Sequence, residues 1–215
     1  VGPRCAHLES YGRGDGEKRA CQLSRLQPGC QVISIGSKRN WGFEEAIFSG
    51  TPCRIDTFDC TTPAGTLPPP AIRNRTRFHK VCLAERSYVR RGRICEGWSD
   101  LLQRIPSLRG RAPDFLKMDI EGWEWDVLRQ IADSEMPPPE QIAVEIHACT
   151  YFERAALPRP PFVEVVGEAG AAAYGTDTRY AKLPKPKAAI ASLVESLRRK
   201  GAMLVDRHDN PFCPH

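Results

Sequence analysis

Apolar and polar positions divide this chain into short strands alternating with amphipathic helices. Gln31-Val32-Ile33-Ser34-Ile35 is β-branched and closed by Gly36, which predicts a first strand. A polar turn, Ser37 to Asn40, leads into a helix over Trp41 to Ser49 with Phe43, Ile47 and Phe48 on its apolar side. Cys53 to Asp59 is a second strand ending on an acid, before a Thr/Pro/Gly loop from Cys60 to Pro70. Thr76 to Leu83 reads as a third strand, and Trp98 to Ile105 as a helix capped by Ser99 or Asp100. Phe115 to Ile120 is a fourth, buried strand. Gly122 turns the chain into a helix carrying Trp125, Leu128, Arg129 and Ile131, which Pro137-Pro138-Pro139 stops. Gln141 to His147 is the fifth strand, with Glu145 and His147 on one side and Val144 and Ile146 on the other.

The remaining segments are less regular. Residues 151–186, rich in Pro, Gly and Ala, read as a long loop or lid on the active side, with Phe162 to Val166 as a short strand inside it. Ala188 to Lys200 is an amphipathic helix with Ile190, Leu193, Val194 and Leu197 at core spacing. Gly201 caps it, and Met203 to Val205 is a sixth strand. The Gly-rich stretch Tyr11 to Lys18 and the basic stretch Arg86 to Arg93 read as surface loops. With no repeat or linker visible, residues 1–215 form one domain, of which 1–30 is an N-terminal lead.

Strands alternating with helices imply an α/β, doubly wound sheet, whose ligands bind beyond the carboxyl ends of the strands. Asp59 ends strand two, Asp119 and Glu121 end strand four, and Glu145 and His147 end strand five. If strands four and five are neighbours, Asp119, Glu121, Glu145 and His147 converge on one crevice. Asp119 and Glu121 have a plainer reading as helix caps, and Asp59 as a turn former. Asp59 follows Gly36 by 23 positions, which is the spacing at which an acid holds a ribose hydroxyl in nucleotide-binding folds. The fingerprint G-x-G-x-x-G itself is absent.

Composition narrows the classes. A net charge of +5 without a dense Lys/Arg block argues against a nucleic-acid partner. No apolar run approaches the roughly 20 residues that span a bilayer. The chain begins at Val1, which reads as a processed or trimmed start. Nine cysteines, an odd count, include no C-x-x-C pair, so structural zinc is not indicated and their pairing stays open. The sequon Asn74-Arg75-Thr76 and the cysteine count together favour the secretory pathway or the extracellular space over the cytoplasm. No G-x-S-x-G elbow is present, against a serine hydrolase.

Leu116-Lys117-Met118-Asp119-Ile120-Glu121-Gly122 resembles the "LKxDxEG" motif of FkbM-type S-adenosylmethionine-dependent methyltransferases. The likeness is closer to the group that includes methyltransferase-like protein 24. Matching features are the Gly14-Asp15-Gly16-Glu17-Lys18 lead with Cys21, Ser34-Ile35-Gly36-Ser37, Phe43-Glu44, Phe58-Asp59-Cys60-Thr61, Glu145-Ile146-His147 and Asn210-Pro211-Phe212-Cys213. The resemblance implies a Rossmann-like class I methyltransferase sheet with helices on both faces, its last strand falling beyond this chain. It implies S-adenosylmethionine held by Gly36, Ser37, Asp59 and Asp119, and O-methylation of a small molecule or sugar hydroxyl. His147, Asp119 and Glu121 are then the candidate catalytic residues. Related O-methyltransferases that use Mg2+ or another divalent cation suggest Asp119, Glu145 and His147 as its ligands. Lys38, Arg39 and Trp41 replace the small residues usual in the cofactor loop, which keeps open a catalytically inactive binding protein on the same fold.

Overall fold

The structure, a computed structural model, describes residues 5–90, 92–120, 122–147 and 187–206. An antiparallel hairpin, β1 (Leu8–Tyr11) and β2 (Lys18–Cys21), opens the chain, with a single 3-10 turn, Gly14–Gly16, at its tip. The main sheet contains β3 (Gln31–Ile35), β4 (Arg54–Phe58), β5 (Thr76–His79), β9 (Phe115–Met118) and β10 (Gln141–Val144), every neighbouring pair parallel. Their order is β10-β9-β3-β4-β5. The chain winds outward from β3 in one direction, then returns to its other side at β9, so the order reverses between β3 and β9. A small second sheet, β6 (Cys82–Leu83), β7 (Tyr88–Arg90) and β8 (Arg93–Glu96), has the order β6-β8-β7.

Alternation along buried parallel strands produces two cores. On one face, Val32, Ile55 and Phe115 pack with Phe43 and Ile47 of α1 (Gly42–Gly50) and with Tyr11 and Ala20 of the hairpin. On the other, Ile33, Ile35, Phe58, Leu116 and Met118 meet α2 (Trp98–Gln103), α3 (Glu124–Asp133) and α4 (Lys187–Arg199) through Trp98, Leu101, Trp125, Leu128, Ile131 and Leu193. The central parallel sheet flanked by helices is the expected α/β architecture. Disulfides join Cys5 to Cys21, Cys30 to Cys53 and Cys60 to Cys82. Cys95 is buried in β8.

Several local expectations are corrected. Tyr11 to Lys18 is a surface loop as expected, closing a disulfide-linked hairpin, whereas the basic stretch Arg86 to Arg93, expected as a loop, contributes to the paired strands β7 and β8. Residues 76–83 form two strands in different sheets, since the chain breaks at Lys80 and Val81. α2 is capped at Gly97 without a side-chain bond; Gln130 Oε1 instead accepts from Trp98 N–H at 2.9 Å. Met203 to Val205 is not a strand and its side chains are exposed, because no described strand lies alongside to pair with it. The stretches 148–186 and 207–215, with the expected lid, Phe162 to Val166 and Asn210 to Cys213, lie outside the described residues.

Candidate active site

The site is built where β3 and β9 end side by side. Gly36 follows β3 with φ +81°, and a Cβ there would lie 1.8 Å from the Asp119 carbonyl oxygen. Only a glycine backbone fits both the left-handed conformation and the close approach. Asp119 N–H donates to Ile35 O at 3.1 Å, locking the two strand ends together. Beneath them, buried Lys117 donates to Gly36 O at 2.6 Å and Ile35 O at 3.2 Å. Lys117 shares its face with Ser34, its register partner on β3, and with Thr57 beyond it on β4. Glu44 of α1 accepts from Thr57 Oγ1 at 3.3 Å. Burial lowers the Lys117 pKa, opposed first by the charge of Asp119, and burial raises that of Glu44.

Beyond Gly36 the chain makes a tight turn, with Asn40 N–H donating to Ser37 O at 2.7 Å. Lys38 and Arg39 have φ 49° and 63°, so both occupy the left-handed region although neither is glycine. Such residues cost on the order of 1 kcal/mol each and persist where surrounding contacts fix them. One such contact is Asp59, whose Oδ2 accepts from Lys38 N–H at 2.6 Å. Its Oδ1 accepts from Thr61 N–H at 2.8 Å and Thr61 Oγ1 at 2.7 Å. The Ser37 hydroxyl is buried with no hydrogen-bond partner among the described residues.

Past the end of β9, Asp119 faces the segment that follows β10. The backbone continues the ladder as far as Glu145 N–H, which donates to Met118 O at 3.0 Å, but the regular strand ends at Val144. His147 Nε2 lies 3.9 Å from Asp119 Oδ1 and 3.9 Å from Glu145 Oε1. Its Nδ1 lies 2.5 Å from Glu124 Oε1. Glu124 also accepts from Ile120 N–H at 3.2 Å and from Gly122 N–H at 2.7 Å, and is fully buried at the start of α3. A carboxylate already taking two backbone donors acts as acceptor toward the imidazole, so Nδ1–H donates to Glu124 and Nε2 is the nitrogen turned toward Asp119 and Glu145. The Trp125 indole donates to His147 O at 3.3 Å and secures the backbone.

Lys18 completes the constellation from the N-terminal hairpin, 3.3 Å from Glu145 Oε2 and 3.7 Å from Asp119 Oδ2. The hairpin is docked on β10 by reciprocal bonds, Cys21 N–H to Gln141 Oε1 at 2.7 Å and Gln141 Nε2 to Cys21 O at 2.8 Å.

Asp119, Glu145 and His147 therefore lie close together, and Gly36 adjoins Asp119. Asp59 and Ser37 sit at the neighbouring strand ends, while Glu121 lies outside the described residues. Glu124 and Lys18 were not anticipated. The signal for Glu124 was present: it shares the i, i+3, i+4, i+7 stripe of Val127, Leu128 and Ile131, where an acid would otherwise sit in the core. No comparable local signal marks Lys18, whose partners are more than a hundred residues away. Asp119, Glu124 and His147 each offer one ligand atom, all within 4.8 Å of one another, a set able to hold a metal ion.

A sheet that reverses its order beside an acid-rich crevice is shared by many nucleotide-type enzymes, and sequence comparison decides among them. A family described as a methyltransferase domain matches residues 4–181. The chain belongs to that methyltransferase domain family. No curated protein and no solved structure matches the chain. The match runs from the hairpin across all five strands of the central sheet. The crevice between β3 and β9 is thus the candidate active site of a methyltransferase domain.

Proposed function

We propose that this methyltransferase domain uses S-adenosylmethionine to methylate a hydroxyl of a small molecule or glycan. The observation that carries this is His147, oriented by buried Glu124 so that Nε2 faces the crevice beside Asp119. S-adenosylmethionine, when bound, supplies a methyl group activated on a sulfonium. The residues present fit such a ligand: the buried unpartnered hydroxyl of Ser37, and the Asp59 carboxylate at the end of β4. A carboxylate offers about four lone-pair sites, so Asp59 retains acceptor capacity for a ribose hydroxyl beside its three protein bonds.

An alcohol must lose its proton as it accepts a methyl group. His147 Nε2 takes that proton, and Glu124 stabilises the resulting imidazolium through Nδ1–H. Asp119, on the crevice side, positions the acceptor and borders the cofactor, and Glu121 stays in the catalytic set expected from the sequence. Positioning supplies most of the acceleration in a displacement of this kind.

A divalent cation such as Mg2+ is a second reading, favoured by Asp119 Oδ1 and Glu145 Oε1 each lying 3.9 Å from His147 Nε2. Glu124 would then orient a metal-bound histidine from behind, a common arrangement. A silent binding protein is the competing class, supported by Lys38 and Arg39 replacing small residues in the turn. The finer kinship with FkbM-type enzymes and the methyltransferase-like protein 24 group rests on the Leu116 to Gly122 motif. Three disulfides support residence in the secretory pathway or outside the cell.

The test is calorimetric titration of S-adenosylmethionine and S-adenosylhomocysteine, with Asp59→Ala beside the parent chain. Micromolar binding weakened at least tenfold by the substitution, in a variant that still melts cooperatively, supports the reading. A folded parent chain that binds neither compound refutes it and leaves the binding-protein alternative.

A further inference from the structure

We propose that Asn74 is an N-glycosylation site whose glycan covers the open edge of the central sheet. Asn74 is one of three asparagines in the chain and the one in an N-x-[ST] sequon, Asn74-Arg75-Thr76. It lies in the turn that enters β5, at the end of the sheet opposite the crevice. Its side chain is exposed.

The neighbouring residues hold that exposure in place. Ile72 N–H donates to Pro69 O at 3.1 Å, and Arg75 N–H to Ile72 O at 3.2 Å. Arg73 donates to Pro68 O through Nε at 3.1 Å and Nη2 at 2.8 Å. Arg75 turns inward instead, donating to Thr51 O at 2.7 Å, Cys53 O at 3.0 Å and Phe48 O, with its guanidinium 4.0 Å from the Phe48 ring centre. Thr76 is buried in β5. With Arg75 and Thr76 committed to the interior, the turn presents Asn74 to solvent.

The second, independent observation is the set of three disulfides. They belong to an oxidising compartment, which is also where sequons are modified. The inference rests on that part of the functional reading and not on methyl transfer. β5 pairs only with β4 in the described sheet, so its far side is an unpaired edge of the kind that recruits other strands. A glycan at the mouth of β5 blocks such pairing and leaves the crevice at the other end clear.

In the modification, Asn74 Nδ2 forms a bond to the anomeric carbon of an oligosaccharide carried on a polyprenyl diphosphate. The anomeric carbon–oxygen bond breaks, the diphosphate leaves with the electron pair, and the amide gives up one proton. The Thr76 hydroxyl needed for recognition is buried in the folded chain, so transfer precedes closure of β5.

The experiment expresses the full-length protein in eukaryotic cells and treats it with peptide N-glycosidase, in parallel with N74Q and T76A. Free thiols are counted in the same samples. The expected result is a mobility shift of one glycan in the parent, absent in both variants, with Asn74 converted to Asp in the deglycosylated peptide. N74Q changes an exposed side chain and keeps the result interpretable if T76A misfolds. An unmodified Asn74 in protein whose Cys30 and Cys53 are paired overturns the glycan alone. An unmodified Asn74 with reduced thiols overturns both the glycan and the compartment on which it rests.

Discussion

Glu124 Oε1 and His147 Nδ1 lie 2.5 Å apart, and the acid is fully buried while the imidazole faces the crevice. The pair fixes the orientation of the imidazole, with Nδ1–H held on the carboxylate. Glu124→Gln keeps the side chain's shape but replaces one acceptor with a donor. Methyl transfer is expected to fall by about 10–100-fold, the usual loss when a carboxylate behind a functional histidine is removed. Cofactor affinity should be unchanged, and the acidic limb of the pH–rate profile, where a catalytic base loses its proton, should move to lower pH. Equal losses in cofactor binding and in rate would indicate a structural role alone.

Gly36 tests the geometry of the switch point. Gly36→Ala places a methyl group 1.8 Å from Asp119 O on a backbone of φ +81°. Left-handed strain and the clash together should cost on the order of 3 kcal/mol or more. Denaturant unfolding of the variant should show a sharply lower midpoint, and a variant as stable as the parent would contradict the close approach.

Lys18 bears on the metal reading. Its ammonium lies against Asp119 and Glu145, the carboxylates a cation would need. Lys18→Met should tighten Mg2+ binding by about tenfold or more, since one like-charge contact at about 4 Å costs about 1 kcal/mol even in bulk water and more near a protein surface. Calorimetry reads this directly. Absence of Mg2+ binding by both proteins would leave His147 acting as a base without metal.

Stability should carry the signature of Glu44. Burial raises its folded pKa above the ordinary 4.5, so between 4.5 and the raised value the folded state holds a proton that the unfolded state has released. Stability attributable to this group is therefore full below about pH 4.5 and is lost as pH rises through the folded value. Glu44→Gln should gain on the parent across that window and match it more closely in acid. Thermal melts from pH 4 to 8 distinguish this from a uniform offset.

The disulfide between Cys30 and Cys53, which closes a separation of 23 residues, should contribute about 3 kcal/mol by restricting the unfolded chain. The double variant Cys30→Ser with Cys53→Ser should unfold at correspondingly lower denaturant, whereas an unchanged midpoint would argue against the pairing.

Much of this was legible in the sequence where hydrophobic period and punctuation agreed. β3 with Gly36, β9 with its following helix, and α4 with Gly201 each combine a clear period with a glycine at the turn. Hairpins were harder, because the partners of β1 and β2 are chosen by pairing and a disulfide, not by any run of apolar residues. The break at Lys80 within 76–83 was invisible for the same reason: each half has strand character, but they join different sheets. Met203 to Val205 shows the converse, a strand-forming composition that pairs with no strand among the described residues. In the site, the strand-end residues Asp119, Glu145 and His147 were readable from topology. Glu124 was hidden as a helix first-turn acid until its place on the buried stripe was considered.

The centre of the sheet has a kinetic consequence. Val32 pairs with Phe115 across more than eighty intervening residues, and parallel pairing of that kind requires a large loop to close before any contact rewards it. β3 and β4, by contrast, are fastened at their starts by Cys30 and Cys53. Under oxidising conditions the β3–β4 pair can assemble early and offer a ready template on which β9 docks. In a reducing environment that template must form unaided, and refolding should slow even where the final structure is the same. The methyltransferase crevice, which opens where β9 joins β3, would be among the last parts of the molecule to take shape.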